Sequence, residues 1–161
     1  MAAPLVHQVN VKSTPETIYK AVSTAQGLAA FWTSESKAEA KVGSIASFGF
    51  GGPTQRMRVD ELVPGKRVRW TGLADFPNWG DTTVSWDLSP AENGETSLTF
   101  RHGDWPASVS QDDLGSINYT WGLIVERLKQ YAETGKPNPL FAFATRQRRD
   151  QCCNFGRVPS L

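Results

Sequence analysis

Residues 110–135, SQDDLGSINYTWGLIVERLKQYAETG, decide the fold of this chain. Leu114, Ile117, Trp121, Ile124, Val125, Leu128 and Ala132 recur at helical spacing, which gives the segment one apolar face. Ser110 with Asp113 three residues later resembles a capping box, and Gly135 followed by Pro137 ends a helix in the expected order. The pattern predicts a helix over Gln111–Thr134, about 36 Å long at 1.5 Å per residue. An amphipathic helix of that length needs an extended apolar surface to lie on.

The preceding residues supply that surface as strands. From Lys37 to His102 the period changes to alternation broken by turn dipeptides, the pattern of a continuous antiparallel sheet. Ala46, Phe48 and Phe50 share one parity before Gly51-Gly52-Pro53, and Met57, Val59 and Glu61 share one face of the next strand. Pro64-Gly65 is a type II turn signature. Val68 and Trp70 follow on one face, then a loop from Gly72 to Asp81, then Val84, Trp86 and Leu88 at period two. Asn93-Gly94 suits a hairpin because both positions tolerate positive φ. Leu98, Phe100 and His102 form the inward row of the last strand, so the face bearing Trp70, Trp86 and Phe100 is expected to be covered. Upstream, Leu5, Val9 and Val11 read as a first strand. Thr14 is a good N-cap and Pro15 fits the first helical position, where its missing N–H costs nothing. A second short helix begins at Ser23 or Thr24 and carries Leu28, Phe31 and Trp32.

Composition narrows the class. A chain of 161 residues with 39% hydrophobic and 20% charged residues fits one globular domain. Seventeen basic against sixteen acidic residues give a net charge of +1, which excludes a broadly basic nucleic-acid binder. No window approaches the roughly 18 apolar residues of a membrane span, and Met1–Val11 does not read as a signal peptide. Cys152 and Cys153 are adjacent and cannot staple distant segments, which fits a reducing, cytoplasmic setting. The domain is read as residues 1–139. Residues 140–161 are read as a tail, partly docked through Phe141 and Phe143 and otherwise loosely ordered, with Arg146, Arg148, Arg149 and Arg157 against one acid, Asp150. These arginines could touch an acidic partner, but such a run is more often a solvated end.

The element order is a strand, two short helices, about six further strands and one long helix, an α+β layer solution. In this order the chain resembles the START-like, or Bet v 1-like, helix-grip superfamily, and within it the family related to activator of Hsp90 ATPase. The residues carrying the resemblance are Thr14–Val22, Leu28–Thr33, Val59–Val68, Thr96–Trp105, and Trp121-Gly122 through Leu128 to Gly135. The resemblance implies a curved antiparallel sheet of six to seven strands wrapped around the C-terminal helix. It also implies an apolar cavity between them that takes a small hydrophobic molecule such as a lipid, a polyketide or an aromatic metabolite. A polyketide cyclase or aromatase-like enzyme in the same cavity is the alternative it implies, and a co-chaperone acting on an Hsp90-type ATPase is a second.

The candidate ligand-binding residues are Trp32, Phe48, Phe50, Val59, Trp70, Val84, Trp86, Phe100, His102, Trp121, Ile124, Val125 and Leu128. Rings with few polar groups among them suit small apolar ligands, although the same rings could fill the space as a solid core. Glu61 and His102 are the titratable groups expected on the inner face, so each is a ligand anchor or a weak acid/base candidate. Asp104 shares the parity of His102, but no Ser or Cys stands in a nucleophile setting and Gly-x-Ser-x-Gly is absent. Gly49-Phe50-Gly51-Gly52 lacks the Lys-Ser/Thr of a phosphate loop and reads as a hairpin turn. With His7, His102 and one cysteine pair, no metal-ligand spacing occurs, and no cofactor is expected.

Overall fold

A computed structural model describes residues 2–144. The arginines at 146, 148, 149 and 157 and the Cys152/Cys153 pair lie outside the described residues.

Strand β1 (Leu5–Val11) leads into helices α1 (Pro15–Ser23) and α2 (Ala25–Phe31). Strands β2 (Glu35–Lys37), β3 (Ile45–Gly49), β4 (Thr54–Val63), β5 (Arg67–Gly72), β6 (Thr83–Pro90) and β7 (Thr96–Gly103) follow, and α3 (Gln111–Thr134) completes the set. All seven strands form one antiparallel sheet in the order β1-β7-β6-β5-β4-β3-β2. The chain starts at one edge, crosses to the other through α1 and α2, and walks back strand by strand until β7 lies beside β1. The α+β helix-grip expectation holds.

Local chemistry accounts for the element boundaries. The Thr14 hydroxyl accepts from Thr17 N at 3.2 Å, and Ser110 Oγ accepts from Asp113 N at 3.0 Å, each satisfying one of a helix's free N-terminal amides. Gly135 ends α3 at φ 72°, a conformation that glycine adopts without cost. Thr24 serves two helices at once. Its hydroxyl donates to Lys20 O at the end of α1 and accepts from Gly27 N at the start of α2. The tight corner this makes brings Gly27 onto the backbone of Ala21, and a Cβ at Gly27 would overlap the Ala21 carbonyl. Gly27→Ala is therefore expected to lower folding stability by about 1–3 kcal/mol, the usual range for overpacking. A urea midpoint equal to that of the wild type would show that the corner can open.

The inner face is a ring-rich core. Trp70, Trp86, Phe100 and Trp121 are buried with Phe31, Trp32 and Phe48, and with Val59, Val84, Ile124, Val125 and Leu128. The outer face is polar, with ion pairs Arg56–Asp75, Arg58–Asp60 and Arg67–Asp87. These pairs are too exposed to add much stability. The Arg56 guanidinium, bonded to Asp75, holds that carboxyl below its usual range.

One expected face assignment changes. The register of β4 against β5 shifts between Val59 and Glu61, and Asp60 is the extra residue of a β-bulge. After the bulge Leu62, opposite Val68, takes the inward position, and Glu61 turns to the outer face opposite Arg69. There its carboxylate lies 3.8 Å from Arg67 Nη1, with 40% of its side chain exposed. Glu61 is thus a surface ion-pair residue and not an inner-face anchor.

Candidate functional site

The expected cavity between sheet and long helix is largely occupied by the protein's own rings. Trp32 stacks on Phe48 at 4.1 Å between ring centroids, Trp86 lies 4.7 Å from Phe100, and Phe100 lies 4.4 Å from Trp121. Phe48, Val59, Trp70, Val84, Trp86, Phe100, Val125 and Leu128 belong to this packed interior. Space remains at one end, where a cleft of about 350 Å³ opens beside the N-terminal half of α3. Its walls are Trp32, Phe50, Pro53, Phe76, Trp79, Ser116, Ile117, Thr120, Trp121, Ile124 and Phe141. Of the residues expected from the sequence, Trp32, Phe50, Trp121 and Ile124 meet there.

Three parts of the chain that parity does not rank as site-forming complete the cleft. Phe76 and Trp79 come from the β5–β6 loop, which is pinned from beneath by Gln55. Gln55 is fully buried, donates to the carbonyls of Arg56 and Leu73 at 2.7 and 2.8 Å, and accepts from Phe76 N at 3.1 Å. A buried amide is retained when its donors and acceptor are used in this way. Ser116, Ile117 and Thr120 extend the wall along α3, and Phe141 closes it from the C-terminal segment. The available sequence signals were weak: a fully polar side chain at an inward strand position for Gln55, and two rings inside a loop for Phe76 and Trp79.

His102 lies behind this site. The Trp121 indole N–H can only donate, so its 3.0 Å bond to His102 Nδ1 places the imidazole proton on Nε2. Nε2 donates to Thr82 Oγ1 at 2.9 Å, and that hydroxyl donates in turn to the Trp79 carbonyl at 2.7 Å. Trp105 packs against the ring at 4.1 Å between centroids, tilted by 38°, and donates its indole N–H to the His102 carbonyl. Burial pushes the imidazole pKa down to about 3. Both nitrogens are used inside the protein, so His102 positions Trp121 and the Trp79 loop and offers no nitrogen to the cleft. Asp104 takes a hydrogen bond from Thr83 at 2.6 Å instead of orienting the imidazole.

Nearly all the cleft wall is apolar, with the hydroxyls of Ser116 and Thr120 as its polar side chains. Thr120 Oγ1 is directed to Ser116 O at 3.0 Å. Among the described residues no carboxylate, imidazole, amine or thiol lines it, and walls of this kind suit holding a ring-bearing molecule. A depression of about 370 Å³ on the outer sheet face is its opposite in character, lined by Arg67, Arg69, Arg101, Thr83, Ser85 and Asp104 together with Gly103, Ala2 and Pro4. Among the described residues no His, Cys, Asp and Glu cluster could hold a metal ion, and no helix is long and apolar enough to cross a membrane.

Comparison with known proteins sets this site in a family. Residues 12–133 match the family described as Activator of Hsp90 ATPase homolog 1-like protein. The Aha1 dimer from Colwellia psychrerythraea, a solution structure, is 32% identical over 84% of this chain and 99% of that one, with a TM-score of 0.74. DynU16, a protein of the dynemicin biosynthetic locus, shares the fold at 22% identity and a TM-score of 0.71, over 89% of this chain and 52% of that one. Protein MLL2253 from Mesorhizobium loti shares it at 17% identity and a TM-score of 0.69, over 80% and 95% of the two chains. No curated protein matches the sequence. With the family match covering most of the chain and the helix-grip sheet in place, the chain belongs to the Activator of Hsp90 ATPase homolog 1-like family, within the START-like superfamily.

Proposed function

We propose that this protein binds a compact, neutral, ring-bearing metabolite in the cleft beside α3, and that it acts as a binding protein. The observation that carries the reading is the cleft itself, which has six aromatic rings and two hydroxyls around about 350 Å³. That volume and character fall within the ordinary range of small-molecule sites. Of the lipids, polyketides and aromatic metabolites that the superfamily resemblance suggests, flat aromatic molecules fit best, because ring walls favour stacking and edge-on contact. A cyclase-like enzyme in the same cleft has less support, because His102 is buried, neutral and committed to Trp121 and Thr82. The family description and the name of the Colwellia psychrerythraea relative support a second reading, docking on an Hsp90-type ATPase. The polar outer surface would serve that reading without using the cleft.

The test is a fluorescence titration with N-phenyl-1-naphthylamine, a neutral aromatic probe. Saturable binding is expected in the wild type. Thr120→Phe places a ring in the cleft from a half-exposed helical position, so it is expected to weaken binding at least about tenfold, or 1.4 kcal/mol, with little change in folding stability. Equal binding by both proteins would remove the cleft from consideration and shift weight to the ATPase reading, for which Thr120→Phe should be silent.

A further inference from the structure

The C-terminal segment after α3 does two separate jobs with two separate parts of itself. Its backbone finishes α2. The carbonyls of Ala30, Phe31 and Trp32 at the end of that helix have no partner further along it, and they accept from Asn138 N, Leu140 N and Phe141 N at 2.8, 3.1 and 2.9 Å. Ser34 N returns a bond to Phe141 O at 2.9 Å, and Ser34 Oγ accepts from Phe143 N at 2.9 Å. The side chains do something different. The Phe141 ring meets Phe50 edge-on at 5.2 Å and forms one wall of the cleft, while the Phe143 ring covers Gly51. The family match ends at residue 133, so the Phe141 wall lies beyond the part of the chain that carries the match.

We propose that Phe141 is the specificity-determining residue of the cleft, setting the largest fused-ring system that it admits. This rests on the binding reading given above and adds which residue limits the ligand's size. The main-chain bonds to α2 do not depend on the side chain at 141, so the wall can be changed while the strap stays in place. Removing the ring opens the cleft on the side of Phe50 and Pro53, and a larger ring narrows it.

The proposal is tested with the full-length protein and two neutral fluorescent probes, 2-naphthol with two fused rings and 1-hydroxypyrene with four. The wild type is expected to prefer 2-naphthol. Phe141→Ala should move the ratio of the two dissociation constants toward 1-hydroxypyrene by about tenfold or more, and Phe141→Trp should move it the other way. Phe141→Leu, which keeps apolar bulk, covers the case in which the alanine variant folds poorly, and it is expected to give an intermediate ratio. A wild type that binds 2-naphthol, with a ratio unchanged in every folded variant, overturns the assignment of Phe141 and leaves the cleft standing. A wild type that binds neither probe overturns the cleft and the assignment together.

Discussion

Lowering the pH from 6.5 to 4 is expected to remove about 3 kcal/mol of folding stability through His102 alone. In the folded protein its pKa is pushed down to about 3 by burial, while in the unfolded chain it sits near 6.5. Between these values the unfolded chain takes up a proton that the folded protein refuses, so stability falls as pH falls through this window and levels off near pH 3. The effect is large because burial strips water from the charged form, and charging the imidazole in place would in addition turn its Nδ1 from acceptor to donor against the Trp121 N–H. Urea unfolding at constant ionic strength across this range measures it. His102→Gln lacks the titrating group and should lose most of that slope, whatever its stability at pH 7. The carboxylates contribute in both proteins, Asp75 among them, and cancel in the comparison. Parallel profiles for the two proteins would mean that another group governs the acid transition.

Trp121→Ala should be the most damaging single substitution at the site. Trp121 is 1% exposed, packs on Phe100 at 4.4 Å and on Trp32 at 5.0 Å, and is the only hydrogen-bond donor to His102 Nδ1 among the described residues. Truncating a buried tryptophan costs about 3–5 kcal/mol, and stranding a buried acceptor adds about 1–3 kcal/mol. Against a total stability of about 5–15 kcal/mol, the variant is expected to be partly or wholly unfolded at 37 °C. Trp121→Phe separates the two causes, because the ring contacts are mostly kept and the indole N–H is lost. It is expected to fold, with about 1–3 kcal/mol less stability. Its binding of N-phenyl-1-naphthylamine should fall as well, since the bond to His102 sets the orientation of the indole at the cleft floor. If Trp121→Phe matches the wild type in denaturant, the His102 bond does not hold the site together.

The backbone chemistry of this chain is largely written in local residues. Thr14-Pro15, Thr24, Pro64-Gly65, Asn93-Gly94, Ser110 and Gly135 each mark a boundary that the structure uses, because caps and turns depend on side chains one to four residues away. Strand parity placed Trp70, Trp86, Phe100 and His102 inward for a similarly local reason. Parity fails where the ladder slips. The bulge at Asp60 turns Glu61 outward, and Val59-Asp60-Glu61 contains no glycine or proline to announce it. The cleft was less legible than the sheet for a different reason. Whether Trp32 and Phe48 leave a cavity or fill it depends on how rings from four separate elements meet. The Phe76 and Trp79 wall depends on Gln55, twenty or so residues away, and the last wall depends on a strap that docks on the end of α2.

The pairing of β1 with β7 has a consequence for how the chain is made. Leu5 lies opposite His102 and Val11 opposite Thr96, so β1 leaves the ribosome before the other six strands and waits for a partner synthesised roughly 90 residues later. At synthesis rates of about 5–20 residues per second that delay is about 5–20 s. Closing so long a loop comes late in folding, because its entropic cost precedes the reward of the contacts it allows. The other strands can pair with their sequence neighbours as they emerge, and the nascent sheet then presents the free edge of β7 to whichever strand arrives first. Sealing that edge with its own β1 is the step at which a second nascent copy can substitute its β1, and crowded translation of one message is where such an exchange would arise.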